Sequence, residues 1–248
     1  MSIRFPRVER ELGVGPILDE DHDQLWAALG RLVEAKVSEA VDLDFKQQWY
    51  SLDDPKAELA KDGKAELAKD CAAFANGGGG VIICGIKEDG QSRAEELVTV
   101  PRLPSHEHER ILQTLASRTE PTVEVTIHDI HDPDDRNRCA VLLLIPPSSL
   151  APHQVTYNQR RAKDRWGYPF RRLTVTEWMT EAEIANRYRN RFLLAREQVS
   201  RADHVDRVGQ QALNRKAKAW VILTVVPAVP GSLPMSNPGS TAVCGVEG

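Results

Sequence analysis

Cysteine is scarce in this sequence, and the few cysteines form no recognisable set. Cys71, Cys84, Cys139 and Cys244 include no Cys-X-X-Cys pair, which argues against a zinc site or a disulfide framework. The first three lie within apolar runs, a pattern that predicts buried core thiols. We therefore expect a reduced, cytoplasmic setting.

Long hydrophobic runs and a large excess of one charge are also missing. No apolar run approaches the roughly 18 residues of a membrane span, and the opening MSIRFPRVERELG predicts no signal peptide because it has no apolar centre. The formal charge of −4 over 248 residues argues against coating of nucleic acid by the whole surface and leaves room for a local basic patch. The length suits one large domain or two small ones.

Apolar periodicity predicts an alternation of helices and strands. Helices are expected over 19–37, 55–76 and 106–117, and strands over 40–45, 81–86, 123–130 and 139–145. The last strand is continuously apolar, which favours a central position in a sheet. The sequence therefore predicts an α/β (α+β) fold in which a mixed β-sheet has helices packed on its faces.

The two ends of the chain are expected to lie outside this α/β domain. Residues 1–19 contain Pro and Gly at intervals and are expected to be an irregular segment before a domain over 20–195. A capping-box pattern at Thr180 begins a long C-terminal helix, which continues as a helical extension over 196–219. Residues 220–248 join an apolar strand, WVILTVV, to a tail rich in Pro, Gly and Ser, and this end is expected to be disordered or truncated.

The helix expected over 55–76 contains a repeat, KAELAKDG followed by KAELAKDC. A step of eight residues turns a helix about 80° beyond two full turns, so the two copies cannot present the same face. The second copy continues into CAAFAN and is expected to hold the buried face.

Four consecutive glycines, Gly77, Gly78, Gly79 and Gly80, follow Asn76 and precede an apolar strand. Either this segment, Asn76 included, contacts a phosphate through its main-chain amides, or the glycines let the chain reverse tightly between helix and strand. The Walker pattern GxxxxGK[ST] is absent from this segment, and the glycines do not open a helix after a strand. A Walker loop and a Rossmann fingerprint are therefore excluded here.

Carboxylates flank these elements. Glu39 and Asp44 lie at the strand expected over 40–45, and Glu88 and Asp89 follow the strand after the glycines. Such carboxylates could hold Mg²⁺ or Mn²⁺ for phosphodiester cleavage, or they could be solvated acids on an edge strand. Glu39 and Asp44 are an odd number of residues apart, so a shared site requires Glu39 to precede the strand or a bulge to separate them.

Basic residues are concentrated between 160 and 191, where nine Lys or Arg face four acids. Aromatic residues interleave with the first part of this segment, as in surfaces that stack on unpaired bases. The segment predicts either a contact with a polyanion or a solvated charged loop and helix face. The candidate contacts are Arg160, Arg161, Lys163, Arg165, Arg171 and Arg172.

Three pieces in this order resemble the Schlafen AlbA-type domain family. They are EAVDLDFK over 39–46, CAAFANGGGGVIICGIKEDG over 71–90, and YPFRR over 168–172 with MTEAEIA over 179–185. The resemblance covers about residues 20–195 and implies a domain described as DNA-binding, in which Lys46 would join the nucleic-acid contacts.

Animal members of that family are implied to be metal-dependent RNA nucleases with three carboxylates. By motif position these correspond to Glu39, Asp44 and either Glu88 or Asp89, and Glu39, Asp44 and Glu88 would be the metal ligands. Asp44 stands where Glu is usual, which shortens the reach by one methylene group, and magnesium demands nearly ideal octahedral ligation.

Nucleic-acid binding (DNA or RNA) in bacterial regulation or defence is therefore the leading hypothesis. The alternative is a divalent-metal-dependent RNA or tRNA endonuclease. A second alternative is nucleotide binding at the glycine segment, as the ATP-binding label of related bacterial chains implies. It ranks last because the segment has no Walker lysine.

Overall fold

The computed structural model describes residues 4–52, 62–159 and 162–212. The chain forms two compact units, Met1–Arg187 and Tyr188–Gly248. The helices among the described residues are α1 (Pro6–Leu12), a 3-10 turn (Ile17–Asp19), α2 (His22–Glu34), α3 (Gly63–Asn76), α4 (Ser105–Arg118) and α5 (Glu181–Ala212). The strands are β1 (Leu43–Lys46), β2 (Gly80–Cys84), β3 (Ile86–Glu88), β4 (Ala94–Leu97), β5 (Val100–Pro101), β6 (Thr119–Glu120), β7 (Thr126–His131), β8 (Arg138–Ile145), β9 (Gln154–Gln159), β10 (Ala162–Gly167), β11 (Pro169–Arg172) and β12 (Val175–Trp178).

A five-stranded mixed sheet forms the centre of the first unit. β1 runs parallel to β2, with Leu43 opposite Val81, and β2 runs antiparallel to β8. β5 and β7 also pair with β8. Every residue of β8 after Arg138 is buried, as expected for the continuously apolar strand predicted at the middle of the sheet.

Helices cover both faces of this sheet. On one face, Ile82 of β2 joins a core with Leu67 of α3. On the other face, Ile83 of the same strand joins a second core with Leu29 of α2. Because successive strand residues point to opposite faces, β2 contributes to both cores. The predicted mixed sheet with helices on its faces is confirmed, as is the long C-terminal helix.

The expectation of an irregular segment over 1–19 is wrong for residues 6–12, which form α1. Pro6 occupies the first turn and Gly13 ends the helix at φ +65°, as Pro and Gly commonly do at these two positions. Val8 and Leu12 are buried, so Pro6 and Gly13, which predicted a loop, are the boundaries of a helix.

The helix before the glycines and the strand after them differ at their ends from the predicted ranges 55–76 and 81–86. α3 begins at Gly63 because the Asp62 Oδ1 accepts the N–H groups of Lys64 and Ala65, at 3.1 and 3.3 Å. The first repeat copy lies outside the described residues except for its last two, whereas Leu67 in the second copy is buried. The strand expected over 81–86 is interrupted at Gly85, whose φ is +107°.

Three smaller antiparallel arrangements accompany the main sheet. β3 and β4 form a hairpin, β10, β9 and β6 form a three-stranded sheet, and β11 pairs with β12. The basic stretch within 151–172 therefore contains the β9–β10 hairpin. Both β9 and β11 pack against α3, and Arg171 of β11 contacts β1 and its flanking acids.

The end of the chain is described only in part. α5 continues to Ala212, and the boundary between the two units falls after Arg187. Residues 213–248, which include the predicted strand and tail, lie outside the described residues, and the limits 20–195 and 196–219 stay predictions. No helix in the described part of the chain is both long and apolar enough to span a membrane.

Candidate functional site

Side chains cover the edge of strand β1 that does not pair with β2. Glu39 lies just before the strand, and its Oε1 accepts the N–H of Phe45 at 2.8 Å. Arg171 of β11 donates to the carbonyl oxygens of Ala40 and Leu43, at 3.1 and 3.3 Å. A strand edge presents amides and carbonyls that lack a neighbouring strand. At this edge Glu39 and Arg171 supply side-chain partners in addition to the backbone hydrogen bonds between Ala40 and Leu43.

The same side chains form a buried network of charges. The Arg171 Nη2 lies 2.8 Å from the Asp44 Oδ1 and 3.6 Å from the Glu39 Oε2, and each of these three side chains is at most 7% exposed. The Lys46 Nζ lies 2.6 Å from the Asp44 Oδ2 and 3.5 Å from the Asp70 Oδ2. We name these five residues the carboxylate–cation cluster.

Two aromatic residues of the first core flank the cluster. The Tyr50 hydroxyl donates to the Asp70 Oδ2 at 3.0 Å, and burial is the main cause that raises the pKa of Tyr50 above its ordinary value. The Arg171 guanidinium lies over the Phe74 ring, 5.0 Å from its centroid. The cluster is therefore held from α3 as well as from β1 and β11.

Burial determines how the cluster is protonated. Desolvation, followed by repulsion from Asp44, raises the pKa of Glu39 to about 8, so Glu39 holds a proton at neutral pH. Burial also raises the pKa of Asp70. Burial opposes the charge of Lys46, but Asp70 and Asp44 outweigh it and raise the pKa of this lysine. With Glu39 protonated, the positive charges of Lys46, Arg171 and Lys69, which lies 3.6 Å from the Asp70 Oδ1, at least balance the two remaining carboxylates.

The acidic turn that follows β3 is organised separately. Asp89 Oδ1 accepts the N–H groups of Gln91 and Arg93, at 2.7 and 3.1 Å, and the Asp89 Oδ2 lies 2.7 Å from the Arg93 Nη2. The hydrogen bond from Arg93 is the main cause that lowers the pKa of Asp89. Glu88 is exposed at the end of its strand. The turn reaches the cluster only through its backbone, where the Ser92 carbonyl accepts the Glu39 N–H at 2.8 Å.

This arrangement does not fit the divalent ion that the resemblance implies. The described residues contain no group of three or more His, Cys, Asp or Glu side chains placed to hold a metal ion. Lys46 and Arg171 already supply the positive charge at Asp44, and a charge-balanced cluster has little attraction for Mg²⁺ or Mn²⁺. The catalytic role predicted for Glu39, Asp44, Glu88 and Asp89 stays a prediction.

The glycine segment makes internal contacts. The amides of Gly77 and Gly79 both donate to the Phe74 carbonyl, at 2.9 and 3.0 Å, so neither is open to a phosphate. A Cβ on Gly79 would lie 2.7 Å from the Ile145 oxygen, and one on Gly80 would lie 2.3 Å from the Phe74 ring. Close approach of backbone therefore explains why these two positions require glycine.

Asn76 has a structural role beside the glycines. It is fully buried, its amide nitrogen donates to the carbonyl oxygens of His153 and Pro169, both at 2.9 Å, and its Oδ1 accepts the His153 N–H at 2.6 Å. Asn76 thereby links the end of α3 to the starts of β9 and β11. With these partners it has little capacity left for a phosphate.

The predicted nucleic-acid contacts divide into four groups. Lys46 and Arg171 belong to the carboxylate–cation cluster, and Arg171 is 4% exposed, so it cannot reach a polyanion at the surface. Arg160 and Arg161 lie outside the described residues. Of Lys163 and Arg165 only the backbone, on β10, is described. Arg172 is at the surface.

Arg172 is exposed and stacks with the half-buried residues Phe170 and Arg187 in a group that we name the arginine–phenylalanine surface. The guanidinium groups of Arg172 and Arg187 lie 5.4 and 4.7 Å from the centroid of the Phe170 ring. Arg172 also lies 2.9 Å from Glu177 and pairs with Glu183. Two cations stacked on one ring offer both charge and a flat apolar contact.

Sequence reasoning missed Asp70 in the cluster, Tyr50 beside it, and the stacking of Arg187 on Phe170. Asp70 had a local signal, because it is a charged residue directly before the apolar run CAAFAN and a buried charge requires a partner. Arg187 had no such signal, since its ring partner lies on a different element.

Comparison with known proteins identifies the family of the domain. The sequence matches the family Schlafen, AlbA_2 over residues 39–172, more than half of the chain. The DIP2311 protein from Corynebacterium diphtheriae is a similar solved structure, with 17% identity, a TM-score of 0.37, and coverage of 63% of this chain and 31% of its own. This chain thus spans about a third of that protein.

A second solved structure is the N-terminal domain of a RecG-related protein from Nitrosomonas europaea. It has 17% identity and a TM-score of 0.32, over 48% of this chain and 71% of its own. No curated protein matches the sequence. The family match contains the acidic strand, the glycine segment and the Arg171–Arg172 pair, and this protein is a member of the Schlafen AlbA_2 family.

Proposed function

We propose that this protein binds nucleic acid through the β9–β10 hairpin and the neighbouring arginine–phenylalanine surface. The observation that carries the proposal is the hairpin itself, in which β9 and β10 pair antiparallel with Tyr157 opposite Arg165. Its sequence between 154 and 167 contains four basic residues and one acid: Arg160, Arg161, Lys163, Arg165 and Asp164.

A two-stranded ribbon of this kind is a suitable shape for a groove or a single strand. Basic residues in the sequence of such a ribbon can neutralise phosphates, and a β-ribbon fits the major groove of a duplex. Trp166, at the base of the hairpin, is 61% exposed. An exposed indole can stack on an unpaired base, which contributes about 1–3 kcal/mol per base.

The arginine–phenylalanine surface continues from the hairpin along the chain, with Arg172 paired to Glu177 and Glu183. β11 follows β10 after a single residue, Tyr168, so Phe170 and Arg172 come directly after the hairpin. Arg187 adds a third element to the same surface. Membership of the Schlafen AlbA_2 family supports nucleic acid as the class of ligand.

The endonuclease alternative has less support. Cleavage by a divalent metal requires open carboxylates, and Asp44 is bonded by two cations in the carboxylate–cation cluster. Nucleotide binding at the glycine segment has less support still, because the amides of Gly77 and Gly79 are bonded within the chain.

Fluorescence anisotropy with labelled single-stranded and duplex oligonucleotides of mixed sequence tests the proposal. The double variant Lys163→Glu/Arg165→Glu is expected to lose binding by at least about 100-fold, since each reversal replaces a phosphate contact by repulsion. Arg136→Glu is the matched control, because Arg136 is an exposed arginine in the loop between β7 and β8.

Salt provides a second readout. Affinity is expected to fall by about tenfold or more between about 50 and 200 mM salt if several phosphates are contacted. Equal affinity of the wild type and the hairpin variant, with the control unchanged, would overturn the proposal.

A further inference from the structure

The part of α5 in the second compact unit carries an exposed apolar seam. Phe192, Ala195, Val199 and Ala202 follow one another at alternating spacings of three and four residues, the repeat of a coiled coil. Phe192 and Val199 are 69% and 63% exposed, and Val205 beyond them is 46% exposed. Large apolar side chains exposed in a row along one helix favour contact with a partner.

The charges of the same helix change sign along its length. Residues 188–196 contain three arginines and no acid, whereas residues 197–206 contain three acids and one arginine. Two such helices side by side in parallel would bring like charges together. In antiparallel orientation the basic half of each helix faces the acidic half of the other, which is favourable.

We propose that two copies of this chain associate through antiparallel pairing of their α5 helices over residues 188–206. The seam has a matching register. If Val199 lies opposite Ala195 of the second copy, then Phe192 lies opposite Ala202, and each large side chain meets a small one. Large and small residues on facing positions allow the close packing that coiled coils require.

The flanking positions agree with this register. Arg189 and Asp203 hold the same heptad position beside the seam, so antiparallel pairing sets Arg189 of each copy near Asp203 of the other, twice per dimer. Arg196 holds the same heptad position at the middle of the seam, so it lies near Arg196 of the second copy. The repulsion between these two arginines weakens the dimer, and a variant without this charge should strengthen association.

Sedimentation velocity of the full chain over a range of concentrations measures the association. Val199→Asp is expected to weaken self-association by at least about tenfold, because it places a charge in the apolar contact. Leu193→Asp is the matched control, since Leu193 is 51% exposed on the same helix but lies off the seam. Arg196→Gln is expected to strengthen association.

Charge exchange tests the orientation. Arg189→Glu and Asp203→Arg are each expected to weaken the dimer, and the double variant is expected to restore it, with circular dichroism confirming the helix in every variant. A monomeric wild type would overturn the proposal, as would failure of the double variant to recover. A monomer in which Val199→Asp lowers the melting temperature would show instead that the seam is covered within one chain.

Discussion

Arg171 and Asp44 form a buried ion pair that joins two distant parts of the chain. Their Nη2 and Oδ1 atoms lie 2.8 Å apart, and their side chains are 5% and 4% exposed. Both residues belong to segments by which the family is recognised, and both appeared from sequence to be surface or catalytic groups. The pair instead ties β11 to the edge of the central sheet.

A variant that lacks the Arg171 side chain should therefore be less stable than the wild type. Arg171→Met leaves Asp44 with one cation fewer and removes the side-chain donor to the Ala40 and Leu43 carbonyl oxygens. We expect a loss of about 3–5 kcal/mol in the free energy of unfolding, the usual cost of breaking a buried pair from one side. Urea denaturation measures this loss.

Arg172→Met is the control for that experiment. Its side chain is 44% exposed, and exposed ion pairs contribute about 1 kcal/mol or less. Equal destabilisation by the two variants would contradict a structural role specific to Arg171.

Glu39 should make stability depend on pH. Its folded pKa of about 8 lies above the ordinary value of 4.5, so its favourable contribution is fully present below about pH 4.5 and is lost as the pH rises through about 8. Glu39→Gln keeps an oxygen to accept the Phe45 N–H and cannot ionise.

The Glu39→Gln variant should accordingly gain stability relative to the wild type as the pH rises. At about pH 5 the two proteins should unfold at similar urea concentrations, and at about pH 9 the variant should be the more stable. Urea denaturation at both pH values checks the prediction. A difference that is the same at both pH values would show that Glu39 does not titrate in this range.

Much of the fold follows from local patterns in the sequence. The apolar run Cys139–Ile145 was sufficient to predict the central strand, and Pro6 and Gly13 could have indicated α1, had they been taken as its boundaries. The family motifs correctly placed Glu39 and Asp44 beside one strand. Each of these features depends on residues that are close in sequence.

The character of the candidate site did not follow from local patterns. Leu43 and Arg171 are 128 positions apart, and no periodicity links an arginine on one strand to carbonyls on another. Whether a carboxylate is open or bonded depends on such long-range partners. The acids and arginines could therefore be predicted as a group, but not their pairing with one another.

Gly80 and Gly78 should respond very differently to alanine. A Cβ on Gly80 would lie 2.3 Å from the Phe74 ring and 2.8 Å from the Asp42 oxygen, whereas one on Gly78 would meet nothing within 4 Å. We expect Gly80→Ala to cost about 3 kcal/mol or more through overpacking and Gly78→Ala to change stability by less than about 1 kcal/mol.

Thermal unfolding compares the two glycine variants, and oligonucleotide binding adds a test of function. If the glycines serve only the turn, Gly78→Ala binds nucleic acid as the wild type does. Loss of binding in a Gly78→Ala protein of normal stability would return the segment to the role of a phosphate contact.

Manganese should neither stabilise the protein nor induce it to cleave RNA. Lys46 and Arg171 neutralise the carboxylates that would hold the ion, and binding of a ligand to the folded state raises the melting temperature only if the site attracts it. We expect equal melting temperatures in millimolar Mn²⁺ and in EDTA, and no loss of tRNA on incubation. Asp44→Asn is the variant that decides a positive result. Two results would contradict the prediction if both disappear in Asp44→Asn: a rise in melting temperature with Mn²⁺, and cleavage of RNA with Mn²⁺. They would show that a metal ion displaces Lys46 and Arg171 from Asp44 and that the protein is a nuclease.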